Sequence, residues 1–142
     1  MRREYPDSPI VACGVVVVSC DRVLIVKRAQ EPAKDLWALP GGVVHLGERV
    51  KEAACREVLE ETGLEIEIDK LLGVVDKIDY DESRRIRFHY VIVDYLAHPL
   101  SGGVRPGTDA SQAKWIGRQD LDGYPLVASS RKMILETLGW DQ

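Results

Sequence analysis

Two short β-branched runs over residues 11–19 and 23–27 flank the polar tip Cys20-Asp21-Arg22 near the start of the chain. Apolar runs bounded by turn formers predict strands, and a tip this short predicts a hairpin. A polar connection over 29–35 leads to Leu36-Trp37-Ala38-Leu39-Pro40-Gly41-Gly42. There a proline and two glycines predict a sharp turn with close backbone approach. Residues 48–62 are good helix formers, and Gly63 stands where a helix C-cap belongs. Two further runs, 71–80 and 86–96, flank the charged tip 81–85 and predict a second hairpin. A polar, Gly-rich stretch over 101–107 reads as a loop. Beyond it, residues 113–116 predict a short strand, and the spacing of Met133, Ile134 and Leu138 predicts a packed helix over 129–138. No repeat or long linker divides the chain, so residues 1–142 form one α/β domain, a mixed sheet with at least two helices.

Length and composition narrow what such a domain can do. A chain of 142 residues buries roughly two-thirds of its unfolded surface, enough for a core without disulfides or structural metal. With 45% hydrophobic and 30% charged residues, it reads as soluble and globular. A formal net charge of −4 and a pI of about 5.4 argue against a nucleic-acid polymer or a membrane as partner, since both need a positive field. Any anionic ligand must then be met by a local cluster or a metal. Cys13, Cys20 and Cys55 are odd in number and lack paired spacing, which predicts a reducing, cytoplasmic location. The apolar run 10–20 behind Arg2 and Arg3 invites comparison with a secretory leader, but Glu4, Pro6, Asp7 and Pro9 spoil it. It is also too short to span a bilayer, and a buried strand explains it better.

The helix at 48–62 carries the candidate chemistry. At about 100° per residue, Glu57, Glu60 and Glu61 fall within one arc with Ala53 among them, while Ala54, Cys55, Val58 and Leu59 cover the other side. Arg56 stands at the margin, four residues from both Glu52 and Glu60. Clustered like charges repel by roughly a few tenths of a kcal/mol per exposed helical pair, and a hard divalent cation would offset this. Oxygen-rich clusters select magnesium, manganese or calcium, and magnesium keeps several waters while bridging to substrate phosphates. A Glu-rich helix face is otherwise simply solvated. The Gly41-Gly42 turn favours the cation, because it could bring backbone carbonyls to the same ion.

Residues 42–64 read GVVHLGERVKEAACREVLEETGL. This stretch matches the Nudix box at Gly42, Glu48, Arg56, Glu57, Val58, Glu60, Glu61, Gly63 and Leu64, so the chain resembles the Nudix hydrolase family. The likeness extends loosely to Lys27-Arg28-Ala29, to 37–42 and to Trp115. It implies an α/β/α sandwich with a mixed β-sheet and hydrolysis of a nucleoside diphosphate linked to another moiety. Such hydrolysis needs a positioned water, a base for its proton and positive charge against the phosphate oxygens. Carried over from the family, Glu60 and Glu61 are metal ligands with the Gly41 carbonyl, and Glu57 is either a ligand or the base that orients water. Arg56 resembles the family's orienting arginine, and Glu48 contributes through the same network. Magnesium is the implied cofactor, with manganese as the alternative, and many relatives are homodimers.

Outside the box the resemblance is thinner. Asp109 lies where some relatives place a further acidic ligand or base, against the plainer reading of a turn-capping aspartate. Arg28 and Gly42 resemble substrate-contacting positions. Arg84, Arg85 and Arg87 form a basic cluster that could reach phosphate, although a hairpin tip is commonly just solvated. Trp37 and Tyr80 are stacking candidates whose plainer role is packing. His45, His89 and His98 lack ligand spacing, and Cys55 reads as a small hydrophobe. The layout looks most like the small ADP-ribose pyrophosphatase branch. A proline frequent downstream of the box in that branch is replaced by Asp79 and Tyr80, and tyrosine there is associated with dinucleoside polyphosphate hydrolases. ADP-ribose or a related nucleotide sugar ranks first, oxidised or noncanonical nucleoside triphosphates second, dinucleoside polyphosphates third. A non-catalytic nucleotide-sensing module is the alternative of another class; such modules commonly lose a box glutamate, and this chain keeps them all.

Overall fold

The computed structural model describes residues 2–100 and 110–141. Strands β1 (Ile10–Ser19) and β2 (Arg22–Arg28) form the first hairpin. Ser19 pairs with Arg22, and the tip residues Cys20 and Asp21 have φ of 52° and 60°. Positive φ at both central residues is the tight turn whose twist matches flanking strands. Two short strands follow, β3 (Trp37–Ala38) and β4 (Gly41–Val43). The expected turn at Gly41-Gly42 is therefore a strand: both glycines lie flat against β1, antiparallel to it, with Gly14 opposite Gly41 and Cys13 opposite Gly42.

Helix α1 spans Val50–Thr62 and begins two residues later than expected. Glu52 reaches back to accept the Arg49 N–H at 2.9 Å, satisfying the first turn at that point. Glu48 is thereby left outside the helix, free to pair with Arg56. The helix ends as expected, with Gly63 at φ 76° donating its N–H to the Leu59 carbonyl.

β5 (Ile66–Tyr80) and β6 (Ile86–Pro99) make a long antiparallel hairpin. β7 (Ala110–Ile116), a short 3₁₀ turn at Arg118–Gly123 and α2 (Ala128–Leu138) complete the chain. The sheet runs β3-β2-β1-β6-β5, with β4 joined to β1 and β7 to β2. Only the β1–β6 pair in this path is parallel, over Ile10↔Tyr90 to Val17↔Ala97, so the sheet is mixed, as expected.

A helix covers each face. Cys13, Val15, Val17 and Leu24 pack with Ala53, Ala54 and Val58 of α1. Val16, Val23 and Ile25 pack with Ile134 of α2 and with Trp37 and Leu121. Covering on both sides explains why β1 is continuously apolar rather than alternating. A third cluster, Ile10, Ala12, Val43, Phe88 and Tyr90, joins β1, β4 and β6. Among the described residues no helix is long and apolar enough to cross a membrane.

Candidate active site

The site is assembled where α1 folds back over β4. Val15 donates its N–H to Pro40, and Val44 to Val11, at 2.9 and 3.0 Å. These bonds put Gly14↔Gly41 at a non-hydrogen-bonded position of the ladder, leaving both polar backbone groups of Gly41 outside it. The Gly41 N–H is taken by Glu61 Oε1 at 2.7 Å. Side chains would not fit here: a Cβ on Gly41 would run into the Cys13 carbonyl, and one on Gly42 would lie 2.5–2.7 Å from the Glu57 carboxyl atoms.

The helix does not present its three glutamates equally. Glu57 and Glu61, one turn apart, are only 7% and 5% exposed. Glu60 points outward, its side chain 46% exposed, and Leu59, expected to pack, is also exposed at 47%. The buried face is Ala53, Ala54, Glu57, Val58, Glu61 and Thr62, so the small alanines bring the backbone close and the two glutamates meet Gly41 and Gly42 of β4.

Arg56 ties the outer carboxylates together. Its Nε and Nη2 donate to the two oxygens of Glu48 at 2.7 and 3.0 Å. Its Nη1 donates to Glu57 at 2.9 Å and Glu60 at 3.2 Å, and Nη2 also reaches the Val43 carbonyl at 3.1 Å. The guanidinium, with help from the His45 N–H, holds the Glu48 carboxyl down to about 2, and Glu48 in turn raises the pKa of Arg56. Burial pushes the Cys13 thiol up to about 11, so it is no nucleophile.

Glu57, Glu61, Gly41 and Gly42 open onto a cavity of about 380 Å³, within the range of small-molecule sites. Ala12, Gly14, Tyr90, Ile92 and Asp94 also line it, as do the basic Arg3, Arg28 and Lys77 and the acidic Glu31. Arg3 and Arg28 act electrostatically on the Tyr90 hydroxyl. Arg28 is steadied by donating Nε to the Pro32 carbonyl at 2.6 Å.

The structure thus brings Glu57, Glu61, Gly41, Gly42 and Arg28 into one cavity, while Glu48, Arg56 and Glu60 form the network outside it. Asp109 and the 101–107 stretch lie outside the described residues. The arginine cluster does not reach the cavity: Arg85 pairs with Asp81 and Arg87 with Glu4, at 3.1 and 2.6 Å. Trp37 is buried edge-on against Tyr124, and Tyr80 is exposed away from the cavity. His98 pairs with Asp69 on the surface. Sequence reasoning missed Arg3, Lys77, Tyr90 and Asp94. For Asp94 a signal existed, a lone carboxylate inside the apolar run Val91-Ile92-Val93-Asp94-Tyr95-Leu96.

The family model of the NUDIX domain matches residues 8–137. The chain belongs to the Nudix family. An ADP-ribose pyrophosphatase of Methanocaldococcus jannaschii is 35% identical over 133 residues, covering 93% of this chain and 75% of that protein. The MutT Nudix hydrolase of Burkholderia pseudomallei superposes with a TM-score of 0.79 at 37% identity, covering 90% of this chain and 97% of that one. The human 8-oxo-dGDP phosphatase NUDT18 is 32% identical over 115 residues, 78% of this chain but 33% of that longer protein.

As a Nudix hydrolase, the chain belongs with enzymes that use divalent metal, and its residues fit such an ion. Among the described residues no three His, Cys, Asp or Glu side chains form a ready-made cage. The donors that are present are two buried carboxylates and a Gly41 peptide outside the ladder, all oxygen. That set suits a hard cation completing its shell with waters and substrate phosphates.

Proposed function

We propose that this Nudix hydrolase cleaves the diphosphate of ADP-ribose or a closely related nucleotide sugar, with magnesium, giving AMP and ribose 5-phosphate from ADP-ribose and one water. The observation that carries the reading is one cavity lined both by buried Glu57 and Glu61 and by Arg3, Arg28 and Lys77. Such a lining suits a cation together with an anionic nucleotide, and the 35% identity to an ADP-ribose pyrophosphatase supports it. Glu57, Glu61 and the Gly41 carbonyl would hold the ion, with Glu60 contributing from the outer side. When bound, the ion neutralises phosphate charge and lowers the pKa of water. Arg56 and Glu48 fix the Glu57 and Glu60 carboxylates, and a box carboxylate takes the proton of the attacking water. Its free cysteines accord with a cytoplasmic location.

The similarity to NUDT18, named for an 8-oxo-dGDP substrate, makes oxidised nucleotides the second reading. Purified protein incubated with magnesium and a panel of ADP-ribose, dinucleoside polyphosphates and canonical and oxidised nucleotides decides between them by product chromatography. AMP and ribose 5-phosphate, lost with Glu61→Gln, are the expected result. Preferential cleavage of oxidised nucleotides would replace the first reading with the second, and binding without turnover would make the chain a nucleotide sensor.

A further inference from the structure

Alternation along β6 turns Tyr90, Ile92 and Asp94 to the same face of the sheet. That face is apolar on either side of Asp94, with Ile10, Ala12, Phe88 and Tyr90 before it and Val16 and Leu96 after it. Asp94 is only 5% exposed, and among the described residues no hydrogen bond or ion pair reaches its carboxyl. A buried charge without a partner is normally eliminated from a core. No described buried side-chain oxygen is sealed off without a partner, and Asp94 lines the cavity, so its carboxyl opens into the space a substrate fills.

Its position relative to the diphosphate end is fixed by two glycines. Gly14 lies beside Asp94 in the parallel register, and a Cβ there would collide with Asp94 Oδ1. On its other side Gly14 faces Gly41, whose N–H holds Glu61. Asp94 and Glu61 therefore stand on opposite sides of one glycine pair whose Cα atoms are about 4.5 Å apart. Between a phosphoryl group held by a cation at Glu57 and Glu61 and the Asp94 carboxyl, the cavity wall is those two glycines, which carry no side chain to exclude an attached sugar. A carboxylate accepts hydrogen bonds and repels phosphate, and vicinal hydroxyls offer it two donors from one side.

We propose that Asp94 is a specificity residue that accepts hydrogen bonds from the hydroxyls of the ribose joined to the diphosphate. The proposal rests on the diphosphate being held by a cation at Glu57 and Glu61, as proposed above, and not on the nucleotide being ADP-ribose. Burial raises the Asp94 pKa to about 6, which still leaves the acceptor form dominant at neutral pH.

The test compares wild type with Asp94→Asn and Asp94→Ala on matched pairs: ADP-ribose against analogues deoxygenated on either ribose, and ATP against dATP. Turnover is followed together with calorimetric binding of AMP against dAMP and of ribose 5-phosphate against its 2-deoxy form. Both variants should lower kcat/KM or affinity for a hydroxylated ligand by about 10- to 100-fold, mainly through KM. They should leave the deoxy partner within about 3-fold, so the wild-type preference for ribose disappears. Equal losses on both members of every pair would overturn the proposal in favour of a structural role. So would a wild type that does not distinguish ribose from deoxyribose, or a variant effect that disappears when hypoxanthine replaces adenine. Absence of ADP-ribose turnover alone would remove only the substrate assigned above, because the ATP and product pairs still decide Asp94.

Discussion

Arg56 grips both carboxylate oxygens of Glu48, Nε to Oε2 at 2.7 Å and Nη2 to Oε1 at 3.0 Å, while its remaining donors hold Glu57, Glu60 and the Val43 carbonyl. One planar fork thus fixes the loop before α1 against the helix and sets the direction of a cavity carboxylate. Lysine keeps the charge but cannot reproduce a two-pronged contact. Arg56→Lys should therefore lower kcat by about 10- to 100-fold through misplacement of Glu57, with metal affinity reduced less than in a Glu57 variant. Steady-state kinetics over a magnesium titration checks this; a wild-type kcat would show that the fork is dispensable.

Glu48 gives that network a pH signature. Its folded pKa of about 2 lies below the ordinary 4.5, so the folded state favours the ionised form. The stabilisation is complete above the ordinary pKa and is lost as pH falls through about 2. Acid unfolding of wild type and Glu48→Gln should therefore differ most above pH 4.5 and converge toward pH 2. A constant gap across that window would mean that charge pairing with Arg56 is not its source.

Burial separates the three box glutamates. Glu57→Gln and Glu61→Gln should each lower turnover by about 100-fold or more, because both carboxylates face the cavity and a neutral amide is a poor ligand for a hard cation. Glu60→Gln should cost less, since its side chain is 46% exposed and committed to Arg56. The Glu61 variant should remain folded, as glutamine can still accept the Gly41 N–H. Excess chelator should silence the wild type, and magnesium should restore it. An order of severity with Glu60 first would place the metal-holding set on the outer face.

Gly42 tests how closely that arrangement is fitted. A methyl group there would lie 2.5–2.7 Å from the Glu57 carboxyl atoms, on a side chain that Arg56 already holds in place. Gly42→Ala should consequently reduce kcat by at least about 10-fold while the melting temperature falls little, since the neighbour that must move is a side chain and not the backbone. Gly41→Ala should be worse for the fold, because the obstacle is the Cys13 carbonyl in the adjacent strand. Thermal melts and kinetics on the two variants separate these effects.

Much of this was legible in the chain. The hairpin at Cys20-Asp21, the C-cap at Gly63 and the box itself follow from local rules, and the structure has them where expected. What the sequence concealed depends on pairing across distance. Gly41-Gly42 reads as a turn until β1 lies beside it and makes the segment a strand. Helical spacing groups Glu60 with Glu57 and Glu61, because an arc does not reveal where the sheet edge cuts across it; burial then separates them. Arg3 and Lys77 reach the cavity from the N-terminal segment and from β5, which no spacing rule connects to the box. Asp94 was visible as an interruption in an apolar run, yet only its register with Gly14 shows that it opens into the cavity.

Asp94 also carries a stability consequence opposite in sign to that of Glu48. Burial raises its pKa from 3.8 to about 6, so the folded state disfavours the ionised form. The relative stability present below the unfolded pKa is lost as pH rises through about 6. Arg3, Arg28, Glu31, Glu57, Glu61, Lys77 and Tyr90 line the same cavity and are unchanged in an Asp94→Asn protein, so comparison with wild type isolates this carboxyl. The two proteins should melt together near pH 3, below the ordinary pKa of 3.8. At pH 8 the variant should be the more stable by on the order of 2–3 kcal/mol, a rise of about 5–10 °C in Tm. Equal melting at both pH values would show that the carboxyl is solvated and not buried. A variant that is more stable yet no longer prefers ribose would show that this charge persists in an apolar floor for binding, against the interest of the fold.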